Sequence, residues 1–323
     1  MMKTAAAMML IILGTSACQR SPAFKRDQGT YQPETPSYYN KSSIGTNKTP
    51  TQRVEAMGQP KKRIMVLDFW NDTPAKAGEF GIFAADELRR GLNGTQRMIL
   101  PLDVKTDRST EDFIQGDNVK VAQLIREGRK LGVAVLVIGR IAKVVFRQRG
   151  DEIGVFRQKQ SLAAVDVEMK VFDVANGREL SALGKSGESS SNAIVALEPG
   201  NLESPEYRAE LTRLALRNAV GQAVPEVIRS VEKMTWEGHV AKITGKKVFV
   251  NAGRTSGIVA GDILKVMTQG DDIYDPATGA YLGRAAGQLK GTLEVVDFIG
   301  TDGAVAEVHT GSNFQEGDAV QLY

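Results

Sequence analysis

Residues 133–146, VAVLVIGRIAKVVF, and residues 161–174, SLAAVDVEMKVFDV, decide how the rest of the chain is read. The first is a long apolar run, the pattern of a central strand covered on both faces. The second alternates. Val165, Val167, Met169 and Val171 fall on one face and Asp166, Glu168 and Lys170 on the other, the period of two that a half-buried strand requires. Asn176-Gly177 then signals a hairpin turn into RELSAL.

Working outward, KKRIMVLDFWND at 61–72 opens the ordered part, with Ile64–Phe69 a compact apolar strand. Phe80, Phe83, Ala84, Leu88 and Leu92 recur at helical spacing up to a stop at Asn93-Gly94. MILPLDV (98–104) reads as a second short strand. Val119–Leu131 is helical through Val121, Leu124, Ile125 and Gly128. A long amphipathic helix runs from about Ser204 to Glu232 through Leu211, Ala215, Val220, Ile228 and Val231, and Pro225 is expected to kink or split it. Residues 61–233 therefore form one α/β domain, a mixed sheet with flanking helices. From 234 to 323 the pattern changes to short strands between glycine turns: GHVAKITG, KVFVNAG, DILKVMT, GQLKGTLEVVDFIG, AVAEVH and DAVQLY. That spacing predicts a small all-β barrel of the SH3-like kind. GIVAGDILKV and NFQEGDAVQL repeat one turn-Gly-Asp-strand pattern within it.

The N-terminal side is of another kind. Residues 1–17 have the layout of an export signal: Lys3, an apolar run, then Thr15, Ser16 and Ala17. The run falls short of the roughly 20 residues that span a bilayer as a helix. Cys18, the single cysteine of 323 residues, follows directly, and this arrangement resembles the bacterial lipobox, where the cysteine is acylated. Gln19, by the same resemblance, implies outer-membrane sorting on the periplasmic side. Residues 18–60 are rich in Pro, Gly, Ser, Thr, Asn, Gln and Lys and cannot bury enough apolar area to offset ordering entropy, so they read as a disordered tether. A flexible chain of that length reaches about 35–40 Å.

The chain carries a net charge of only +3, which gives no ground for a nucleic-acid partner. Two histidines, His239 and His309, and one cysteine leave no Cys/His metal site or cysteine nucleophile. GRELSALGKS (177–186) resembles a phosphate loop, but the required first glycine would fall on Glu179. Asp271, Asp272 and Asp275 sit close in sequence and are weak candidates for a hard cation, although acid-rich turns are common. Asp68 and Asp72 flank Trp70 and read as strand-end caps rather than an active-site pair. No cofactor and no enzymatic activity is expected. A charged hairpin at 144–160 is the favoured contact surface, with Phe146, Arg147, Arg149, Asp151 and Arg157 its candidate partner-binding residues.

The order RIMVLDFWND, AADELRRGL, GVAVLVIGRI and VDVEMKVFDVANGREL resembles the periplasmic domain of the CsgG curli-secretion lipoproteins, and the N-terminal domain of TolB. Asp68–Asn71 match one recurrent mark of such domains, and Asp173, Gly177 and Leu180 the other. The run from VNAGRTSGIVAGDILKV to FQEGDAVQL is similar to the C-terminal β domain of flagellar assembly protein T. The resemblance implies an outer-membrane lipoprotein facing the periplasm that acts as a scaffold, ring or assembly subunit of an envelope machine, flagellar-type first. Its partners would be the membrane through its lipid, further copies of itself, and proteins of that machine. The alternative is an accessory or channel subunit of a curli-like secretion system, and a third reading is a peptidoglycan- or small-ligand-binding lipoprotein with a cleft between its domains. Pore formation is disfavoured, because a membrane strand needs about 9–11 residues with a continuous apolar face. KVVFRQRGDEIGVFRQKQ is interrupted by charge, and GESSSNAIVALEPGNLESPEY carries Pro199 and Pro205.

Overall fold

The computed structural model describes residues 59–323 apart from 75–77, 102, 103, 105, 107, 117, 151–158 and 191–203. These residues fall within one compact unit, in which an α/β body and a barrel have separate apolar cores.

The α/β body is a five-stranded mixed sheet. Strand β1 (Ile64–Val66) and the short β2 (Trp70–Asn71) run parallel to β5 (Val135–Gly150) along one edge. β5, β6 (Lys159–Asp173) and β7 (Glu179–Ser190) follow as an antiparallel meander. Between β2 and β5 lie helix α1 (Gly78–Gly94), a 3-10 turn at Thr110–Phe113, a small ladder of β3 (Ile114–Gln115) and β4 (Asn118–Val119), and α2 (Val121–Lys130).

Helix α1 and the long α3 (Pro205–Glu232) cover one face. Val135 and Val137 of β5 and Val165, Val167, Met169 and Val171 of β6 point into that core. Helix α2 and Phe113 cover the other face at one end only, over Leu136, Ile138 and Phe172. The sequence pattern follows from this coverage. Residues 135–139 are buried from both sides, so every position is apolar or glycine. Past them one face of the sheet meets water, and Arg140, Asp166, Glu168 and Lys170 occupy it. Gly139 belongs to the covered end: a Cβ there would stand 2.5 Å from the Phe69 ring.

Two expectations change. The described residues of MILPLDV form no strand: Ile99 makes a single bridge to Arg63, and Pro101, without an N–H, cannot extend the ladder. Pro225 does not split α3, which is continuous over Pro205–Glu232. The proline faces solvent while Ala223, Val227 and Ile228 stay buried, so the freed carbonyl of the preceding turn meets water and the core stripe holds both halves. Ser204 caps the helix, its hydroxyl accepting from the Tyr207 N–H at 3.2 Å. Helix and sheet meet closely at Gly187 of β7, where a Cβ would lie 2.1 Å from the Ala215 carbonyl oxygen.

The barrel closes in the order β10-β13-β14-β9-β8-β15. Its strands are β8 (Gly238–Thr244), β9 (Lys247–Val250), β10 (Ile263–Met267), β13 (Leu289–Ile299), β14 (Gly303–Gly311) and β15 (Ala319–Leu322), the six segments expected from sequence. Trp236, Val266, Leu293 and Val320 are among the side chains filling it. The sequence echo is one turn used twice. Asp262 accepts from the Val259 N–H at 2.8 Å and Asp318 from the Gln315 N–H at 2.7 Å. Each aspartate follows a glycine with φ near +90°, Gly261 and Gly317, and the strands after the two turns pair with each other. A two-stranded arm, β11 (Asp272–Tyr274) and β12 (Tyr281–Arg284), leaves the barrel between β10 and β13.

Candidate functional site: the cleft and latches between the two bodies

The arm docks on the α/β body. The guanidinium of Arg129, in the last turn of α2, donates to both oxygens of Asp272 at 2.7 and 2.9 Å and to the Ala175 carbonyl at 3.2 Å. The Tyr281 hydroxyl donates to the same carboxylate at 3.4 Å, and Arg284 approaches it at 3.5 Å. Hydrogen bonding from Arg129 holds the Asp272 carboxyl below its ordinary value, against a smaller opposing effect of burial. The Tyr281 ring packs beside α2 and over the β6–β7 turn.

That turn explains the Asp173…Gly177 spacing. Asp173 accepts from the Ala175 N–H at 2.9 Å through its side chain and from the Gly177 N–H at 2.8 Å through its carbonyl. Gly177 has φ +73°, and a Cβ there would lie 2.3 Å from the Tyr281 ring and 2.4 Å from Ile125. The glycine both closes the hairpin and leaves room for the arm.

A second latch lies at the entry of the chain into β1. Arg63 pairs with Asp302 at 3.3 Å. Asp302 also accepts from the N–H groups of Gly253 and Ser256 at 2.8 and 2.9 Å and from the Ser256 hydroxyl at 2.6 Å. Burial alone would raise the Asp302 carboxyl, but these donors reverse it and hold it low. The Lys61 N–H donates to the Ser256 carbonyl at 2.8 Å.

Between the latches is a cleft of about 610 Å³, walled by both bodies, within the range of small-molecule sites. Its lining includes Lys61, Arg63, Arg129, Arg178, Lys233 and Arg284, against the acids Asp173 and Glu237. Burial is the largest influence on Asp173 and raises its carboxyl, with the charge of Glu237 adding to it. Burial lowers His239, also in the lining, and the charges of Arg284 and Arg129 add to that while Glu237 opposes.

Of the residues singled out in the sequence, Asp173, Gly177, His239 and Asp272 stand at this junction and the others lie elsewhere. Phe146 is 42 % exposed on β5, with the Arg208 guanidinium 5.7 Å above its ring. Arg147 is exposed beside it, and the Arg149 backbone pairs with Gln160. Asp151 and Arg157 lie outside the described residues, as do Cys18 and residues 19–58 of the tether expected over 18–60. Asp271, Asp272 and Asp275 have separate surroundings: Asp272 holds Arg129, Asp275 accepts from the Ala277 N–H at 2.8 Å, and Asp271 is exposed. Asp68 pairs with Arg89 at 2.7 Å and Asp72 with Arg140 at 3.6 Å. Gly184-Lys185-Ser186 lies inside β7, not at a helix start. His309 stands 3.2 Å from the Thr292 hydroxyl.

The family model for the curli production assembly/transport component CsgG matches residues 111–260, which takes in β5 to β7, α3 and the first two barrel strands. It ends before most of the stretch that resembles flagellar assembly protein T. No curated protein matches the chain. Among solved structures the chain is similar to the hypothetical protein CT253 from Chlamydia trachomatis, at 14% identity over 53% of this chain and 96% of that one, TM-score 0.32. It is similar to lipoprotein GNA1162 from Neisseria meningitidis, at 16% identity over 54% and 99%, TM-score 0.27. It is also similar to the PelC dodecamer from Paraburkholderia phytofirmans, at 17% identity over 50% and 88%, TM-score 0.27. These likenesses are too distant to assign a role.

Proposed function

We propose that this chain is a non-catalytic bacterial envelope lipoprotein, anchored through Cys18 to the periplasmic face of the outer membrane, that serves as an assembly subunit of an envelope machine. The observation that carries the reading is the pair of latches. Arg129–Asp272 and Arg63–Asp302 tie the barrel to the α/β body at two separated places, which suits a part that presents two surfaces in fixed relation. The tether then sets how far from the lipid that body works. The flagellar resemblance of the barrel sequence points the proposal toward a flagellar-type collar, in which copies close a ring through repeated contacts.

A second reading is favoured by the family match: an accessory or channel subunit of a curli-like export system. The two separate on the lipid dependence of assembly. Wild-type chain and Cys18→Ala are expressed in a bacterial envelope with a radioactive fatty acid and sized with and without detergent. The assembly reading expects acyl label and membrane association in the wild type alone, with the same oligomer in both proteins. Unchanged labelling and membrane association in the variant would refute the anchor, and an oligomer found only in detergent favours the channel.

A further inference from the structure

We propose that the cleft between the α/β body and the barrel binds a small polyanion, a molecule with two or more carboxylate or phosphate groups. The inference stands on the cleft itself and does not depend on the assembly reading.

The acids on the cleft walls are committed while several cations are not. Asp173, 5 % exposed, is used by the turn N–H of Ala175. Glu237 accepts from Gln321 at 3.3 Å and lies 3.7 Å from His239. Arg129 and Arg284 share the single carboxylate of Asp272, which the Arg284 Nε faces at 3.5 Å, while the buried Arg129 Nε has no hydrogen-bond partner among the described residues. Lys61, Arg178 and Lys233 lie within 4 Å of no described carboxylate, although the Arg178 charge is felt by Asp173. These last three come from distant segments: the entry to β1, the start of the β6–β7 turn's return, and the end of α3. The lining cations outnumber Asp173 and Glu237 taken together with the latch carboxylates Asp272 and Asp302, which leaves a positive field in the cleft. Such fields concentrate anions.

The remaining lining fits the same ligand. Asn251 uses its Oδ1 to accept from the His239 N–H at 2.7 Å, so its amide N–H groups remain as donors. Gln321, whose amide also donates to Glu237, stands on the barrel side. Because Lys61, Arg178 and Lys233 stand at separate points of the α/β wall and Arg284 stands opposite them on the arm, a ligand with several charges engages more of them than a single charge would. A volume of about 610 Å³ accommodates a molecule of disaccharide or tripeptide size.

The test uses the full acylated chain in a neutral detergent, titrated calorimetrically at low salt with citrate, with pyrophosphate, and with uncharged chitotriose. Citrate and pyrophosphate separate the carboxylate and phosphate sources of the same chemistry. The triple variant Lys61→Gln, Arg178→Gln, Lys233→Gln removes charges that no described residue pairs with, and thermal melting checks that it folds. Lys246→Gln with Lys247→Gln, at the β8–β9 turn and the start of β9 and outside the cleft lining, is the control. The expected result is binding of at least one anion and not of chitotriose, weakened about tenfold or more by the triple variant and unchanged by the control. No anion binding, equal affinity in the triple variant, or equal loss in the control would each overturn the proposal.

Discussion

Gly177 shows why one residue can be legible in sequence and still be half understood. Asn176-Gly177 after an alternating strand announces a hairpin, and the structure has that hairpin. The second reason for the glycine, room for the Tyr281 ring, comes from a residue far along the chain and leaves no local mark. The two reasons can be separated experimentally. Gly177→Ala should cost about 2 kcal/mol, part from the left-handed backbone and part from the ring. In a Tyr281→Ala background the same substitution should cost about 1 kcal/mol, since the ring part is gone and the backbone part and the flexible end of Ile125 remain. Urea unfolding of the four proteins gives both numbers, and equal costs in the two backgrounds would remove the arm from the explanation. Gly139 obeys the same logic within one body. Ala at that position meets the Phe69 ring at 2.5 Å, so Gly139→Ala should destabilise by about 1–3 kcal/mol, the range for overpacking a core.

At the scale of elements, strands were easier to foresee than what joins them. The six barrel strands, α1, α2 and α3 all stand out by period, because each buries one face against its own neighbours. The arm β11–β12 did not, since the side that docks carries Asp272, Tyr281 and Arg284 while its apolar Ile273, Tyr274 and Leu282 are exposed. The latches were invisible for a related reason: Arg129 and Asp272, or Arg63 and Asp302, are ordinary surface charges until the chain folds. Arg129→Lys keeps the charge but loses the paired geometry at Asp272, so it should loosen the arm while the α/β core stays folded. Hydrogen exchange should then rise at Ile273 and Gly283 and stay unchanged at Val137. Fast exchange across both bodies would mean that the arm is part of a single cooperative core.

The whole molecule should respond to acid through groups at the junction, and their signs differ. Asp272 and Asp302 are held below the ordinary 3.8, so the stability they contribute is present above that value and is lost as pH falls through their lowered values. His239 is held below 6.5, so it favours the fold above that pH and withdraws stability as pH falls toward its lowered value. Asp173 acts in the opposite sense: its raised carboxyl contributes stability below 3.8 that is lost as pH rises through the raised value. His239→Gln should therefore flatten the stability profile just below pH 6.5, and Asp272→Asn with Asp302→Asn should flatten its acid end. Thermal melts across pH check both, and an unchanged wild-type slope in the variants would place the titration elsewhere.

The anchor, tether and machine reading belong to this same scale, and little of them was legible beyond Cys18 and its flanks. Local patterns specify strands and turns, whereas the cleft arises from charges on separate segments and no motif announces it. The claim that ties the account together is that the folded body works by contact from the membrane surface and does not enter the bilayer. Its most direct test is electrical: the purified acylated chain is added to a planar lipid bilayer and the current recorded under an applied voltage. The account predicts a baseline trace at every protein concentration, and stepwise conductance that scales with the amount added would contradict it.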